Sequence, residues 1–359
     1  MLNGGEQGDV GGAPPLTAPA PAADAPAATA LQTAPAAGRG RRAVRLDVGV
    51  AAVALAVVAA AALRPLLERL LDRPAVAHWA TVFVAIAVQA MPFLVLGVTV
   101  SAVVAAFVPA GLLQRALPRS PVLAVPVAAA AGAALPGCEC GSVPIAGRLV
   151  ARGVTPAAAL AFLLSAPAIN PVVLTATAVA FPGRPEVVLA RLAASLLAAV
   201  AVGLVWVAAG RDELLDRARR RPQRDGPPLA VLVATAQHDL LHAGGFLMIG
   251  AATAATLQTV VPRDVLDAVA GSGPLAVAAL AALAVVLAIC SEADAFVAAS
   301  LTQFPLTARL AFMVVGPMVD VKLVALQVGT FGRGFALRFA PLTLAACLAA
   351  SAAVGWWLL

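Results

Sequence analysis

Cysteine and carboxylate side chains meet in one short motif inside a long apolar sequence. Cys138, Glu139 and Cys140 form a C-x-C motif with an acid between the two thiols. Thiolates favour soft metal ions and metalloids, whereas carboxylates suit harder cations or protons. On a regular helix the two thiols would point roughly 200° apart, so they can face one site only where the helix is unwound. Pro136 and Gly137 directly precede the motif and favour such a break.

Nearly all the other ionisable side chains expected to be buried in the apolar segments lie at further interruptions. A charge at the centre of a bilayer costs roughly 2.5–3.5 kcal/mol on insertion scales, so such residues face a protein interior or a water-filled cavity. Lys322, the only lysine, follows Asp320 by two residues, and we expect it to pair with Asp320, Glu292 or Asp294. The candidate transport residues are Cys138, Glu139, Cys140, Pro167, Asn170, Cys290, Glu292, Asp294, Pro317, Asp320 and Lys322. Cys138, Cys140 and Cys290 are the candidate metal ligands.

A structural alternative exists for each of these groups. The charges can pair only to hold helices together, and the cysteines can pack as small apolar side chains at a tight helix crossing. However, proline frees backbone carbonyls that must be satisfied within a membrane, and many transporters build substrate sites at such breaks. The breaks therefore favour a site for a substrate, an ion or a proton. Cys347 lies in a plain apolar run, which predicts core packing.

The composition excludes a soluble protein. Of the 359 residues, 62% are hydrophobic and 12% are charged, whereas soluble domains are about half apolar and about a quarter charged. Lipid must therefore be the solvent for most of the chain. The net charge of +6 comes mainly from arginine, which is typical of loops at a membrane surface. We expect no nucleic-acid partner, because no soluble basic fold is available to bind one.

Composition and charge divide the chain into five segments. Residues 1–45 are a disordered Ala/Pro-rich tail with a basic end, and residues 46–78 are a first transmembrane helix followed by an interfacial segment. Residues 79–209 form a first transmembrane repeat. Residues 210–228 are a charged loop, and residues 229–359 form a second transmembrane repeat.

The repeat rests on matches in one register. Cys140, Pro167 and Asn170 match Cys290, Pro317 and Asp320 at one constant offset. Each repeat is predicted to have four spans, and an even number would place the halves parallel, related by an axis along the membrane normal. The sequence thus predicts an all-α, polytopic transmembrane helical bundle of about nine spans, with two four-helix internal repeats and discontinuous helices at the midplane.

The predicted orientation contains a conflict. The Arg-rich loop at 210–228 favours the cytoplasmic side. Counting back five spans then places the N-terminal tail and its arginines outside, against the same rule. Either one segment is re-entrant or the rule fails for this chain.

Four ordered motifs resemble those of a known family. They are PGCECGSVPIAGRLVARGVTP from Pro136, LAFLLSAPAINPVVL from Leu160, CSEADAFVAAS from Cys290 and GPMVDVKL from Gly316. Together, over about residues 79–345, they resemble the predicted-permease family that includes the organoarsenical efflux permeases (ArsP). Glu139, Arg148 and the SEADAF block look most like the YcgR-like branch, and this resemblance implies a second small membrane subunit.

The resemblance implies a permease, and for the arsenic-exporting members it implies trivalent organoarsenicals bound by cysteine thiols. Cys138 and Cys140 would occupy the cysteine motif of that family. The exporters have a small polar residue in place of Glu139, and an acidic cluster suits a cation better than a neutral arsenical.

The expected function is that of a membrane permease in the bacterial plasma membrane, which moves a small solute such as a thiophilic metalloid or metal ion. The expected partners are the lipid bilayer, the solute or ion, and the second membrane subunit. We expect neither enzymatic activity nor a cofactor, and the chain has no G-x-x-x-x-G-K-[ST] motif for binding ATP. The alternatives are a membrane thiol-redox protein and a non-transporting scaffold for a partner subunit.

Overall fold

The computed structural model describes residues 73–109, 112, 115, 117–134, 138–210, 212–220, 226–260 and 273–359. Within these ranges the chain forms α-helices and short 3-10 turns and contains no β-strand. The predicted tail and the predicted segment 46–78, apart from its last residues, lie outside this part of the chain, as do Pro136 and Gly137.

Six helices form the first half of the described chain. They are α1 (Pro74–Phe107), α2 (Pro121–Ala131), α3 (Glu139–Ala151), α4 (Pro156–Ile169), α5 (Pro171–Ala180) and α6 (Pro185–Ala209). All of them except α3 begin with proline. The fixed φ of proline suits the first helical turn, where its missing N–H would have no intrahelical partner.

The second half repeats this order of long and short helices. After the short α7 (Asp216–Arg219) in the charged loop come α8 (Pro228–Val260), α9 (Gly273–Leu287), α10 (Asp294–Ser300), α11 (Leu306–Val315), α12 (Val321–Thr330) and α13 (Arg333–Leu358). Asp320 caps the start of α12, as Asn170 caps the start of α5.

Five helical segments of the described chain are long and apolar enough to cross a membrane: α1, α4 together with α5, α6, α8 and α13. The chain is therefore a multi-pass membrane protein. The nine predicted spans are not confirmed. Two of them, at 122–150 and 274–302, each consist of two short helices in the structure. A helix such as α3, with 13 residues, is about 20 Å long and too short for a hydrocarbon core of about 30 Å.

Helices α2 and α3 form a hairpin: the residue before α2 and the residue after α3 lie on the same side of the molecule. At its open end, residues 117–119 and residues 153–155 line one surface cleft. At its closed end, Gly132 lies against Ser165 and Ala166 of α4, and Cys138 lines a cavity with the same Ala166. The segment predicted as one interrupted span therefore turns back on itself.

Helices α9 and α10 form a second hairpin around α11. Ala284 near the end of α9 and Asp294 at the start of α10 both lie beside Gly316, which ends α11. The Arg309 side chain in the first turns of α11 donates to the carbonyls of Ala298 and Ala299 near the end of α10 (both 2.6 Å). Thus α10 runs antiparallel to α11, and the closed end of the hairpin lies at the break after α11.

The corresponding long helices of the two halves run in opposite directions. Trp79 at one end of α1 donates to Thr256 near the end of α8 (3.0 Å), and Ser101 near the other end donates to Asp239 of α8 (3.3 Å). The Trp206 ring near the end of α6 packs against the rings of Phe335 and Phe339 at the start of α13. This antiparallel packing corrects the expectation of parallel halves, which arose because each hairpin was counted as a crossing.

Replacing Gly97 with alanine is expected to lower the free energy of unfolding by about 1–3 kcal/mol, the usual cost of overpacking a core. A β-carbon at Gly97 would lie 2.2 Å from the Cα atom of Gly141, so the backbones of α1 and α3 would have to separate. Thermal unfolding in detergent measures the effect. The control is Gly245→Ala, whose β-carbon meets nothing within 4 Å; equal melting temperatures for the two variants would contradict the close crossing.

Candidate functional site

The first helix break brings two thiols and a carboxylate together. Cys138 is the extended residue before α3, and Glu139 and Cys140 begin the helix. One ligand atom of each residue, the two Sγ atoms and a carboxylate oxygen, lies within 4.8 Å of the other two. All three residues are at most 1% exposed. The two thiols converge because Cys138 lies outside the regular helix.

The second half adds a third thiol at the same place. Cys290 lies between α9 and α10, and its thiol, like that of Cys140, lies close enough to the Cys138 thiol to interact with it. All of these cysteines are free thiols. Cys347 instead contacts Met318 (3.4 Å between sulfurs) in the buried core, as the apolar sequence around it predicted. Three of the four cysteines therefore share one buried cluster.

Lys322 joins this cluster through its ammonium group. Its Nζ atom lies 2.6 Å from Glu139 Oε1 and 3.2 Å from Asp320 Oδ2, and donates to the Ala288 carbonyl at 2.6 Å. The side chain is 1% exposed. The expected pairing with Asp320 is confirmed. The pairing with Glu139 was not predicted, because the two residues lie in different halves of the chain.

The residues Asn170 and Asp320 hold the ends of the two broken helices. Asn170 Oδ1 accepts the Val173 N–H at 3.0 Å, and Asp320 Oδ1 accepts the Leu323 N–H at 2.6 Å. Each side chain satisfies a donor that the first turn of a helix leaves without a partner. One carboxylate oxygen of Asp320 is thus committed to the cap, and the other faces Lys322.

A second buried ion pair lies beside the second break. Arg191 of α6 is fully buried and donates to Asp294 Oδ2 at 2.8 Å, to Thr177 Oγ1 at 2.9 Å and to the Ser291 carbonyl at 3.2 Å. Sequence reasoning missed Arg191, because it considered only the charges at the breaks. The available signal was a single arginine within the apolar span 187–209, since a charge there must face the interior.

Several polar atoms around the breaks make no hydrogen bond within the described residues. They are both carboxylate oxygens of Glu139 and of Glu292, Asp294 Oδ1 and Ser291 Oγ. Glu292 lies within electrostatic range of Glu139, Lys322 and Arg191. Glu139 Oε1 is nevertheless ion-paired with the Lys322 ammonium at 2.6 Å. Buried polar groups without partners are rare and costly, so the other atoms are candidates for contact with a ligand.

The charges around the two breaks do not balance. Glu139, Glu292, Asp294 and Asp320 supply four carboxylates, whereas Arg191 and Lys322 supply two cations. With every group ionised, negative charge exceeds positive charge by two. Such a site favours a cation over an anion.

The predicted prolines have different positions. Pro167 lies inside α4, which continues to Ile169, so the break falls at Asn170 and not at Pro167. Pro317 follows Gly316 between α11 and α12 and lies at the break, as expected. Both are buried, and neither contributes a polar side-chain atom. Their role is confined to backbone geometry.

A further polar cluster joins α1, α3 and α8. Arg148 Nη2 lies 3.0 Å from Asp239 Oδ2, and both side chains are less than 10% exposed. Ser101 also donates to Asp239, and His238 Nδ1 lies 3.3 Å from Asp239 Oδ1. Arg148 is therefore part of an interior ion pair that connects the two halves of the chain.

A small cavity reaches the thiol cluster from the side of α1. It is lined by Phe93 and Gly97 of α1, by Cys138, and by Phe162 and Ala166 of α4. The lining is mostly apolar and includes Gly97 and Gly141, whose backbones lie close together. Cys138 is the cysteine of the cluster that borders this cavity.

Comparisons with known proteins identify the family and two relatives of this chain. The model of a family described as predicted permease matches residues 75–356. The chain is 36% identical over 262 residues to the protein YcgR of Bacillus subtilis, covering 71% of this chain and 89% of that protein. It is 32% identical over 268 residues to a Streptococcus mutans protein named as a subunit of a two-component membrane permease complex, covering 72% and 88%. No solved structure matches.

The matched residues include every helix of the site, from α1 to α12 and most of α13. The four sequence motifs lie within that range, at the two breaks in each half. This chain therefore belongs to the predicted permease family.

Proposed function

We propose that this permease moves a thiophilic metalloid or metal ion across the bacterial plasma membrane through the site at its helix breaks. The observation that carries the proposal is the convergence of Cys138, Cys140 and Cys290 with Glu139 and Lys322. These residues come from both halves of the chain. Thiolates bind soft ions, and the adjacent carboxylate favours a positively charged cargo.

We propose further that the two halves are inverted repeats. The order α1 to α6 matches the order α8 to α13, with a hairpin in second place in each half. Corresponding long helices run in opposite directions, and each half crosses the membrane three times. An odd number of crossings relates the halves by an axis in the membrane plane, as in many transporters whose site lies at the repeat interface.

This arrangement removes the conflict over orientation. With the Arg-rich loop at 210–228 in the cytoplasm, three crossings place residue 73 outside. The span predicted at 46–63, which remains a sequence prediction, would return the N-terminal arginines to the cytoplasm. Both basic segments then follow the positive-inside rule. The two hairpins are re-entrant, entering from opposite sides of the membrane.

The relative in Streptococcus mutans supports a second membrane subunit as the partner of this chain. We propose transport and not enzymatic catalysis as the activity. A thiol-redox role is the second candidate, because Cys138 interacts directly with Cys290 and with Cys140. A redox protein would cycle between thiols and a disulfide, whereas a permease needs the thiols as ligands. Thiol content measured during turnover separates the two.

Replacing Cys138, Cys140 or Cys290 with serine is expected to reduce transport of a thiophilic cargo by about tenfold or more, because a hydroxyl is a hard and poorly ionised ligand. The assay follows resistance and accumulation in cells that lack their own permease and produce equal amounts of each variant. The cargoes are a trivalent organoarsenical and Zn²⁺.

The matched control is Cys347→Ser, which removes a buried thiol that lies 3.4 Å from the sulfur of Met318 and outside the cluster at the breaks. This variant should transport normally if it inserts. If the cargo is a hard cation, the pattern reverses: Glu292→Gln and Asp294→Asn abolish transport and the cysteine variants do not. If neither the cysteine variants nor the acid variants changed the transport of any cargo, although the proteins were well folded, the result would favour a non-transporting scaffold.

A further inference from the structure

The ammonium group of Lys322 occupies a site built from oxygen atoms. Glu139, Asp320 and the Ala288 carbonyl each place an oxygen between 2.6 and 3.2 Å from Nζ. The Ala288 carbonyl lies at the C-terminal end of α9, where helix carbonyls carry partial negative charge. Ala288 also has a φ of 47°, which a residue with a side chain adopts only at a cost. The chain therefore holds a cation binding site that is filled by its own lysine.

The two carboxylates that pair with Lys322, those of Asp320 and Glu139, differ in their other contacts. Asp320 is fixed, because its second oxygen caps α12 through the Leu323 N–H. Glu139 makes no hydrogen bond through either oxygen within the described residues, so the ammonium is the group that pairs with it there. Glu139 is thus the partner that can exchange the ammonium for another cation.

The same Glu139 carboxylate belongs to the thiol cluster. One of its oxygens lies within 4.8 Å of the sulfur atoms of both Cys138 and Cys140. A metal ion bound by these three residues would bring a second cation to the carboxylate that the Lys322 ammonium already holds, and repulsion between the two cations favours release of the ammonium. Two thiolates and a carboxylate suit a borderline or soft divalent ion such as Zn²⁺ or Cd²⁺.

We propose that the cargo is a thiophilic divalent metal ion, and that its binding displaces the Lys322 ammonium from Glu139. This inference rests on the proposed function and names the class of its cargo. The incoming ion forms bonds to two sulfurs and one carboxylate oxygen. The two thiols release their protons to water, and Lys322 remains paired with Asp320.

The exchange leaves the charge of the cluster unchanged. Before binding, two neutral thiols, two carboxylates and one ammonium carry one negative charge in total. After binding, a divalent ion with two thiolates and the same three charged groups carries the same total. Because burying additional charge is costly, exchange of one divalent ion for two protons fits this site. A neutral trivalent arsenical would bind the thiols with loss of water and would leave the ammonium on Glu139.

Selective acylation of Lys322 tests the proposal, since it is the only lysine in the chain. The purified full-length protein in lipid nanodiscs is treated with an N-hydroxysuccinimide ester, and modified peptides are quantified by mass spectrometry against the α-amino group. Parallel samples receive Cd²⁺ or phenylarsine oxide, and thiol alkylation is measured in each. Cd²⁺ is expected to protect Cys138 and Cys140 and to raise acylation of Lys322 about fivefold or more, because it shifts the population toward the displaced lysine.

Phenylarsine oxide is expected to protect the thiols without changing the acylation of Lys322. Protection of the thiols by Cd²⁺ with unchanged Lys322 acylation would overturn the exchange and leave the proposed transport site intact. Absence of thiol protection by either compound would instead count against the proposed function itself. In Glu139→Gln, Lys322 should be reactive without Cd²⁺, whereas Glu213→Gln, which alters an exposed acid, should behave as the natural protein does.

Discussion

Lys322→Met is expected to lower the free energy of unfolding by about 3–5 kcal/mol, because removing one partner of a buried ion pair leaves an uncompensated charge. The Lys322 ammonium lies 2.6 Å from Glu139 and 3.2 Å from Asp320, with all three side chains at most 1% exposed. Methionine keeps an unbranched chain of similar length, so the loss reports the charge and not a cavity. The melting temperature of the purified variant in detergent measures the effect.

Neutralising the carboxylates should restore the stability of Lys322→Met. Glutamine at 139 and asparagine at 320 keep the shape of the acids and remove their charge. Asparagine at 320 should also keep the cap of α12, because Asn170 caps α5 in the same way. The triple variant is therefore expected to unfold nearer to the natural protein than Lys322→Met does. A single variant with an unchanged melting temperature would show that the acids take up protons at no cost.

Local sequence signals predicted the helix breaks well. The C-E-C motif after Pro-Gly, the SAPAINP motif around Asn170 and the Gly316-Pro317 step lie where helices stop and restart. Proline, glycine and capping side chains act over a few residues, so their effect is readable without the fold. The constant offset between Cys140 and Cys290 also predicted that two halves contribute to one cluster. In the structure, Cys290 lies close enough to the Cys138 thiol to interact with it.

The direction of the short helices could not be read in the same way. Helices α2 and α3 are both apolar, so a hydropathy window cannot distinguish one interrupted crossing from a hairpin. Only contacts between distant residues, such as Gly132 with Ala166, decide this. Under the proposed arrangement each hairpin changes the number of crossings by one, which is enough to turn the predicted parallel halves into antiparallel ones.

Ion pairs between the two halves could not be predicted from the sequence either. Lys322 and Glu139 are separated by most of the chain, and a pattern of residues carries no information on which acid a lysine meets. Asp320, Glu292 and Asp294 were all predicted as possible partners of Lys322, and among these three the ion pair in the structure is the one with Asp320. Arg191 could have been found from a different signal, because burying one arginine in an apolar span costs free energy. Its three buried hydrogen bonds offset that free-energy cost.

Arg191→Met is expected to destabilise the protein by about 3–5 kcal/mol as well, since Asp294 would lose its buried counter-ion. Arg191 is fully buried on α6, and its guanidinium contacts α5 through Thr177 and the second hairpin through Asp294 and the Ser291 carbonyl. Its removal therefore loosens the contact between the two halves at the second break. Melting temperature in detergent and the yield of monodisperse protein measure the loss, and Asp294→Asn in the same chain should restore part of it.

The matched control is Arg220→Met, which breaks an arginine–aspartate pair on the protein surface. Arg220 lies 3.6 Å from Asp216, and its side chain is 83% exposed. Water screens such a pair and solvates the aspartate that remains, so this variant should melt close to the natural protein. The contrast isolates burial as the cause of the difference, because both variants replace an arginine paired with an aspartate by methionine. If the two variants melted alike, the contact between α6 and the second hairpin would depend on apolar packing alone, and Asp294 would have to be neutral in the folded protein.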